Sequence, residues 1–285
     1  MDLKNTNTVP GVVFIMGVAH SGTTILYNML AQHPDIGWFS QYAMRGGEIP
    51  GRKKLPGYIT LEKVLSKIFP VSWKKETSWL DIIIPRPMEP HKIWDFIIPE
   101  KHFLQPNEYD QSHVDRARFI IDQQKQRSGK DVLLVKIPRL TNSLPVLARI
   151  FPRAFFISIT RDGKAVTVSN KHKFMRGATS SQQAITESAT HWRDTVTYVR
   201  QHIQDIPERS MEIVHEDFCH DVHGALRDIC AQIGVSVSDD YLDHFPTTLR
   251  ITNEKHFKNL SSQDKHLIND MLGDTLPKFG YDLFS

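Results

Sequence analysis

Cysteine is nearly absent: Cys219 and Cys230 are the only two in 285 residues. That leaves no material for a disulfide framework and no C-x-x-C pair for a metal or redox centre, so a reducing, cytoplasmic setting is expected. Long apolar runs are missing too. The first ten residues, MDLKNTNTVP, are polar, and nothing approaches the roughly 20 apolar residues needed to span a bilayer. Neither a signal peptide nor an integral membrane segment is expected; peripheral membrane contact stays open. Charge of one sign is also lacking, with 35 Lys and Arg against 32 Asp and Glu. A general nucleic-acid partner would ask for a more basic chain or a basic block. The 14 histidines show no H-E-x-x-H or comparable spacing, so no metal site is expected. Repeats and low-complexity blocks are absent.

What is present is a chain with 40% hydrophobic residues, enough for one substantial core over 1–285. Apolar runs at 12–17, 132–135, 154–160 and 211–215 read as strands. Helical spacing at 23–32, 141–150, 163–173, 183–204 and 216–233 alternates with them. Strands that are apolar throughout are buried on both faces. The alternation predicts a three-layer α/β/α fold around a central parallel sheet. The stretch 45–130 breaks the rhythm with RGGEIPGRKKLPG and PRPMEPHKIWDF. It reads as an insertion facing substrate, or alternatively a surface subdomain. Its Trp73, Trp79 and Trp94 read as core, with a sugar platform as the alternative.

Ligands of open parallel sheets bind beyond the carboxyl ends of the strands, which points to 17–24, 136–139 and 161–169. In 12-VVFIMGVAHSGTTILYN-28, Gly17 and Gly22 allow a tight turn whose amides face an anion. The following helix adds its positive end, and Ser21, Thr23 and Thr24 add hydroxyls. This is almost a Walker A loop, but Thr23 stands where the lysine belongs. A kinase or ATPase needs that lysine, together with a metal-binding aspartate. Asp162 follows a strand but also reads as a helix N-cap.

The H-S-G-T-T turn resembles the 5′-phosphosulfate loop of sulfotransferases that use 3′-phosphoadenosine 5′-phosphosulfate (PAPS), with His20 where that family usually has Arg or Lys. The run 151-FPRAFFISITRDGKAVTVS-169 resembles the same family's 3′-phosphate segment, which places Arg161 and Ser169 on that phosphate. The stretch 250-RITNEKHFKNLSSQ-263 is similar to its late nucleotide loop through Arg250, Phe257 and Lys258, although the usual glycines are missing. The segment 212-EIVHEDF-218 resembles a strand-to-helix step of the family, read here as structural for Glu216 and Asp217.

The resemblance implies a P-loop NTPase-like sulfotransferase fold, closer to bacterial and carbohydrate-type members than to cytosolic small-molecule ones. It also implies PAPS as the donor and a carbohydrate, glycolipid or small-molecule hydroxyl as the acceptor. The cofactor residues are then His20, Ser21, Gly22, Thr23, Thr24, Arg161, Ser169, Arg250 and Lys258. Lys136, in K-I-P, matches a family lysine that approaches the transferring sulfate. His20 is either a cation there or a neutral donor. For the base, Glu48 in R-G-G-E-I-P comes first, with Glu89 and His91 as rivals. A P-loop kinase with a degenerate loop and a non-catalytic nucleotide-binding module are the alternatives.

Overall fold

Five short, mostly apolar segments pair into one parallel sheet in the computed structural model of the chain, which describes residues 10–40, 85–89, 91, 94, 110–258 and 260–285. They are β1 (Val12–Met16), β2 (Ile36–Trp38), β3 (Val132–Lys136), β4 (Phe155–Thr160) and β5 (Ser210–Val214), in spatial order β2-β3-β1-β4-β5. β1 lies at the centre, with Val13 beside Leu134 on one side and Phe155 on the other.

Side chains alternate along a strand, so each strand feeds both faces. Phe14 and Met16 pack with Leu133, Val135 and Phe156 under α2 (Gln111–Ser128), α3 (Leu144–Ile150) and the end of α5 (Ser181–Ile203). Val13 and Ile15 pack on the opposite face against α1 (Thr23–Leu30), α6 (His215–His220) and α7 (Val222–Gln232). A third cluster joins Val166 of α4 (Gly163–Phe174), Trp192 of α5, and Ile268 and Leu272 of α10 (Ser262–Leu272). Two small helices, α8 (Asp239–Leu242) and α9 (Asn253–Phe257), precede α10.

The chain therefore travels from β1 to edge strand β2 over one face and returns through β3, β4 and β5 over the other. Crossovers of a single hand require that division. It makes the turn after β1 the place where neighbouring connections diverge, which is where such sheets bind ligands.

The expected three-layer α/β/α architecture is observed. Three local expectations change. β2 was not anticipated: it is three residues long with Gly37 at its centre, too short to show a period, and it exists because Ile36 pairs with Val132. The expected helix over 141–150 starts as a 3-10 turn over Pro138–Ser143 before α3. The expected helix over 216–233 is two helices, broken where the Asp221 carboxylate accepts from Gly224 N at 2.8 Å.

At the end of the stretch 45–130, residues 111–128 form a regular helix on the sheet. Asp110 caps it by accepting from His113 N at 3.0 Å, which satisfies one of the free amides of the first turn. Trp94 is fully buried, 6.0 Å from Phe14 ring to ring, so it packs as core. Of the rest of that stretch, residues 45–84, 90, 92–93 and 95–109, with Glu48 among them, lie outside the described residues. Among the described residues no helix is long and apolar enough to cross a membrane.

Candidate active site

The turn after β1 holds three departures from ordinary backbone within six residues. Gly17 has φ 148°, His20 has φ 69° and Gly22 has φ 89°. A side chain at Gly22 would also run into the ring of His215 beneath it, so glycine is needed there for both reasons. Gly22 caps α1 without any side-chain bond, which leaves the first amides of the helix without partners inside it. The Ser21 hydroxyl is buried and lacks a partner. A buried hydroxyl without a bond is costly, and an anion seated on these amides would satisfy it. Thr141 Oγ1 braces the start of the turn, accepting from Gly17 N at 3.1 Å.

Arg161 leaves the end of β4 and is 6% exposed. Its Nε donates to Asn253 Oδ1 at 2.8 Å, its Nη1 to His20 O at 2.9 Å and its Nη2 to Thr252 Oγ1 at 3.2 Å. One guanidinium thus ties the turn after β1 to the start of α9, and two of its five N–H groups remain. Burial lowers its pKa, with Glu216 opposing that fall. The Glu216 carboxylate accepts from Asn253 Nδ2 at 2.6 Å and from the Tyr281 hydroxyl at 2.8 Å. Trp192 Nε1 donates to Arg161 O at 3.2 Å, fixing the backbone below. Ser169, on α4, lies 3.0 Å from His20 Nδ1. Asn170 Nδ2 donates to Ala19 O at 3.0 Å. The expected phosphate pair Arg161 and Ser169 therefore meets at His20, which connects both to the turn. Asp162 is the N-cap of α4, accepting from Lys164 N at 2.9 Å.

On the other side of β1, Lys136 ends β3 with a side chain 3% exposed. Its Nζ donates to Thr24 Oγ1 at 2.9 Å and contacts the Glu89 carboxylate. Burial pulls its pKa down to about 8, and the neighbouring carboxylate works against that fall. The second oxygen of Glu89 is 2.8 Å from His91 Nε2. The segment carrying Glu89 is docked on the sheet edge: Met88 N donates to Phe39 O at 2.7 Å and Tyr27 Oη to Met88 O at 3.3 Å.

Among the other expected residues, Thr23 is buried at the head of α1, and Arg250 and Lys258 are exposed at either end of the α9 region. Thr252, Asn253 and Tyr281 were not anticipated, and Glu216 was expected only as structural. Their partners lie far away in sequence, and the E-D step at 216 was their only signal. A separate hollow of about 540 Å³ at the opposite end of the strands, lined by Gly11, Arg118, Asp131 and Arg153 among others, includes none of these residues.

His215 makes the floor of the turn titratable. Burial, then the Arg161 charge, push its pKa down to about 4, with Glu216 opposing. Its folded pKa is below the unfolded value near 6.5, so no cost arises above pH 6.5. As pH falls from there toward 4, the unfolded chain binds a proton that the folded chain refuses. Unfolding free energy is expected to drop by up to about 3 kcal/mol across that window from this group alone. Urea unfolding of wild type and His215→Gln at pH 7 and pH 5 checks it: the variant should lose that part of the slope, and equal slopes would contradict it.

Comparison with known proteins fits this fold. Sulfotransferase STF9 from Mycobacterium avium is 16% identical with a TM-score of 0.64, with 97% of this chain and 78% of that one covered. STF1 from Mycobacterium tuberculosis H37Rv is 14% identical at 0.58, covering 94% and 77%. The sulfotransferase domain from the curacin biosynthetic pathway is 15% identical at 0.54, covering 97% and 99%. These structures share the fold. The sequence itself matches the sulfotransferase family over residues 10–239, a span that takes in the turn after β1, Lys136, Arg161, Ser169 and Glu216. The chain belongs to the sulfotransferase family.

Proposed function

We propose that this enzyme moves a sulfuryl group from PAPS to a hydroxyl of a carbohydrate, glycolipid or small-molecule acceptor, releasing adenosine 3′,5′-bisphosphate. The observation that carries this reading is the meeting of two anion-binding features at one sheet edge: the turn after β1, with its orphaned Ser21 hydroxyl, and the Arg161–Ser169 pair joined to it through His20. Two such features fit a nucleotide with a 5′- and a 3′-phosphate better than a triphosphate, and no Walker lysine is needed.

PAPS would supply the activated sulfuryl group. The amides of the turn, Ser21, Thr23 and Thr24 hold the 5′ end, and Arg161 and Ser169 hold the 3′-phosphate. Arg250 and Lys258 lie exposed beside α9, where the late loop would close. Glu89 is the base: it takes the acceptor hydroxyl proton as the oxygen–sulfur bond forms. Lys136, between Glu89 and Thr24, neutralises charge on the bridging oxygen as the old sulfur–oxygen bond breaks. The lysine must leave Glu89 for the phosphosulfate, which frees the carboxylate to act. His91 orients Glu89 through its other oxygen. Glu48, the first choice from sequence, lies outside the described residues.

The test supplies sulfur-labelled PAPS in the presence of a chelator, with a panel of carbohydrate, lipid and small hydroxylated acceptors. Labelled product with matching release of the bisphosphate is expected. Phosphate transfer from Mg·ATP instead, or bound nucleotide never turned over with any acceptor, contradicts the reading.

A further inference from the structure

Beside Arg161 lies a titratable group that these roles leave unused. His256 is on α9, three residues after Asn253 and four after Thr252, the two residues whose side chains accept from Arg161. Residues three and four apart share a helix face, so the face of α9 that meets Arg161 also carries His256. That helix packs on α4, which carries Ser169, and Ser169 bonds to the ring of His20. His256 is half-buried.

The charges around it are unbalanced. Arg161, Lys255 and His20 act on its ring, all of one sign, and together with burial, the largest cause, they lower its pKa. The nearby acids are engaged or turned outward. Glu216 is held by Asn253 and Tyr281. Asp162 caps α4 and sits 3.7 Å from Lys164 Nζ. Glu254, on α9 itself, is exposed, as is Lys258 just beyond it. Gathering three basic side chains around a fourth is unfavourable unless an anion is to sit among them.

We propose that His256 is a further ligand of the nucleotide's 3′-phosphate and takes up a proton as the nucleotide binds. This rests on the PAPS reading above. In the free enzyme burial and the neighbouring positive charges disfavour the imidazolium; the phosphate dianion favours it. Binding is tightest where the ring is already protonated and weakens as pH rises through the window above its free-state pKa, by at most about tenfold per pH unit for one linked proton.

The experiment titrates adenosine 3′,5′-bisphosphate and adenosine 5′-phosphate calorimetrically between pH 6.5 and 8, in pairs of buffers with different ionisation enthalpies. Net proton uptake is expected with the bisphosphate and much less with the 5′-phosphate. His256→Gln should abolish the difference and flatten the affinity profile, which also subtracts titration of the ligand's own phosphates. His256→Lys should restore tight binding and hold it across the range. His20→Asn, which suits the left-handed backbone there, should keep the uptake. Bisphosphate binding without proton uptake, or uptake retained in His256→Gln, overturns this inference alone. Failure of the bisphosphate to bind at any pH overturns the PAPS reading and this inference together.

Discussion

Replacing Glu89 by Gln is expected to lower kcat by about 10²- to 10⁴-fold, the range supplied by a positioned general base, while the Kd for adenosine 3′,5′-bisphosphate changes little. Gln keeps the size and one hydrogen-bonding oxygen but cannot take a proton at neutral pH. The bisphosphate carries no sulfate and should not feel the change. Steady-state turnover with calorimetric binding on the same preparation separates the two effects. A variant that keeps a third or more of wild-type turnover would remove Glu89 from the mechanism, and a large loss in His91→Gln would then move the base there.

The same site gives a pH expectation. Lys136 is useful as a cation, and its pKa is pulled to about 8 by burial. Turnover should therefore fall as pH rises through about 8, when the ammonium loses its proton. Lys136→Arg, which stays charged, should shift that fall upward even if its absolute rate is lower.

Arg161→Ala is the second large effect. It deletes three hydrogen bonds, to Asn253, His20 and Thr252, together with the charge facing the 3′-phosphate. Charge-assisted contacts of this kind are worth about 1.5–3 kcal/mol each, so bisphosphate affinity should drop by at least about 100-fold. Affinity for adenosine 5′-phosphate, which lacks the 3′-phosphate, should drop much less. Arg161→Lys should rescue little, because an ammonium cannot span three acceptors held in a guanidinium fork. Equal losses for both nucleotides would show that Arg161 only braces the turn. An unchanged bisphosphate Kd would contradict its place on the phosphate.

How much of this was legible in the sequence depends on the range of each interaction. The turn after β1 is local: an apolar strand, two glycines and a helix start lie within a dozen residues, and the sequence reads them correctly. Arg161 and Ser169 were placed by the strand that precedes them and by resemblance. Arg161's partners Asn253 and Thr252 are 92 and 91 positions away, beyond any periodic pattern. The contact between Lys136 and Glu89 spans 47 positions and enters a Pro-rich stretch that no period organises. β2 depends on its pairing with β3 more than on its own three residues. His20 was expected as either a cation or a donor at the 5′ end. Its ring is found on Ser169 and its carbonyl on Arg161, a placement made possible by a left-handed backbone that no spacing rule signals.

The most direct test of the central claim is calorimetric titration of the purified protein with adenosine 3′,5′-bisphosphate in a metal chelator, beside a titration with Mg·ATP. The account predicts one site for the bisphosphate, filled without metal and lost in Arg161→Ala, with Mg·ATP binding far more weakly. Tight, metal-dependent binding of ATP with no binding of the bisphosphate would contradict it.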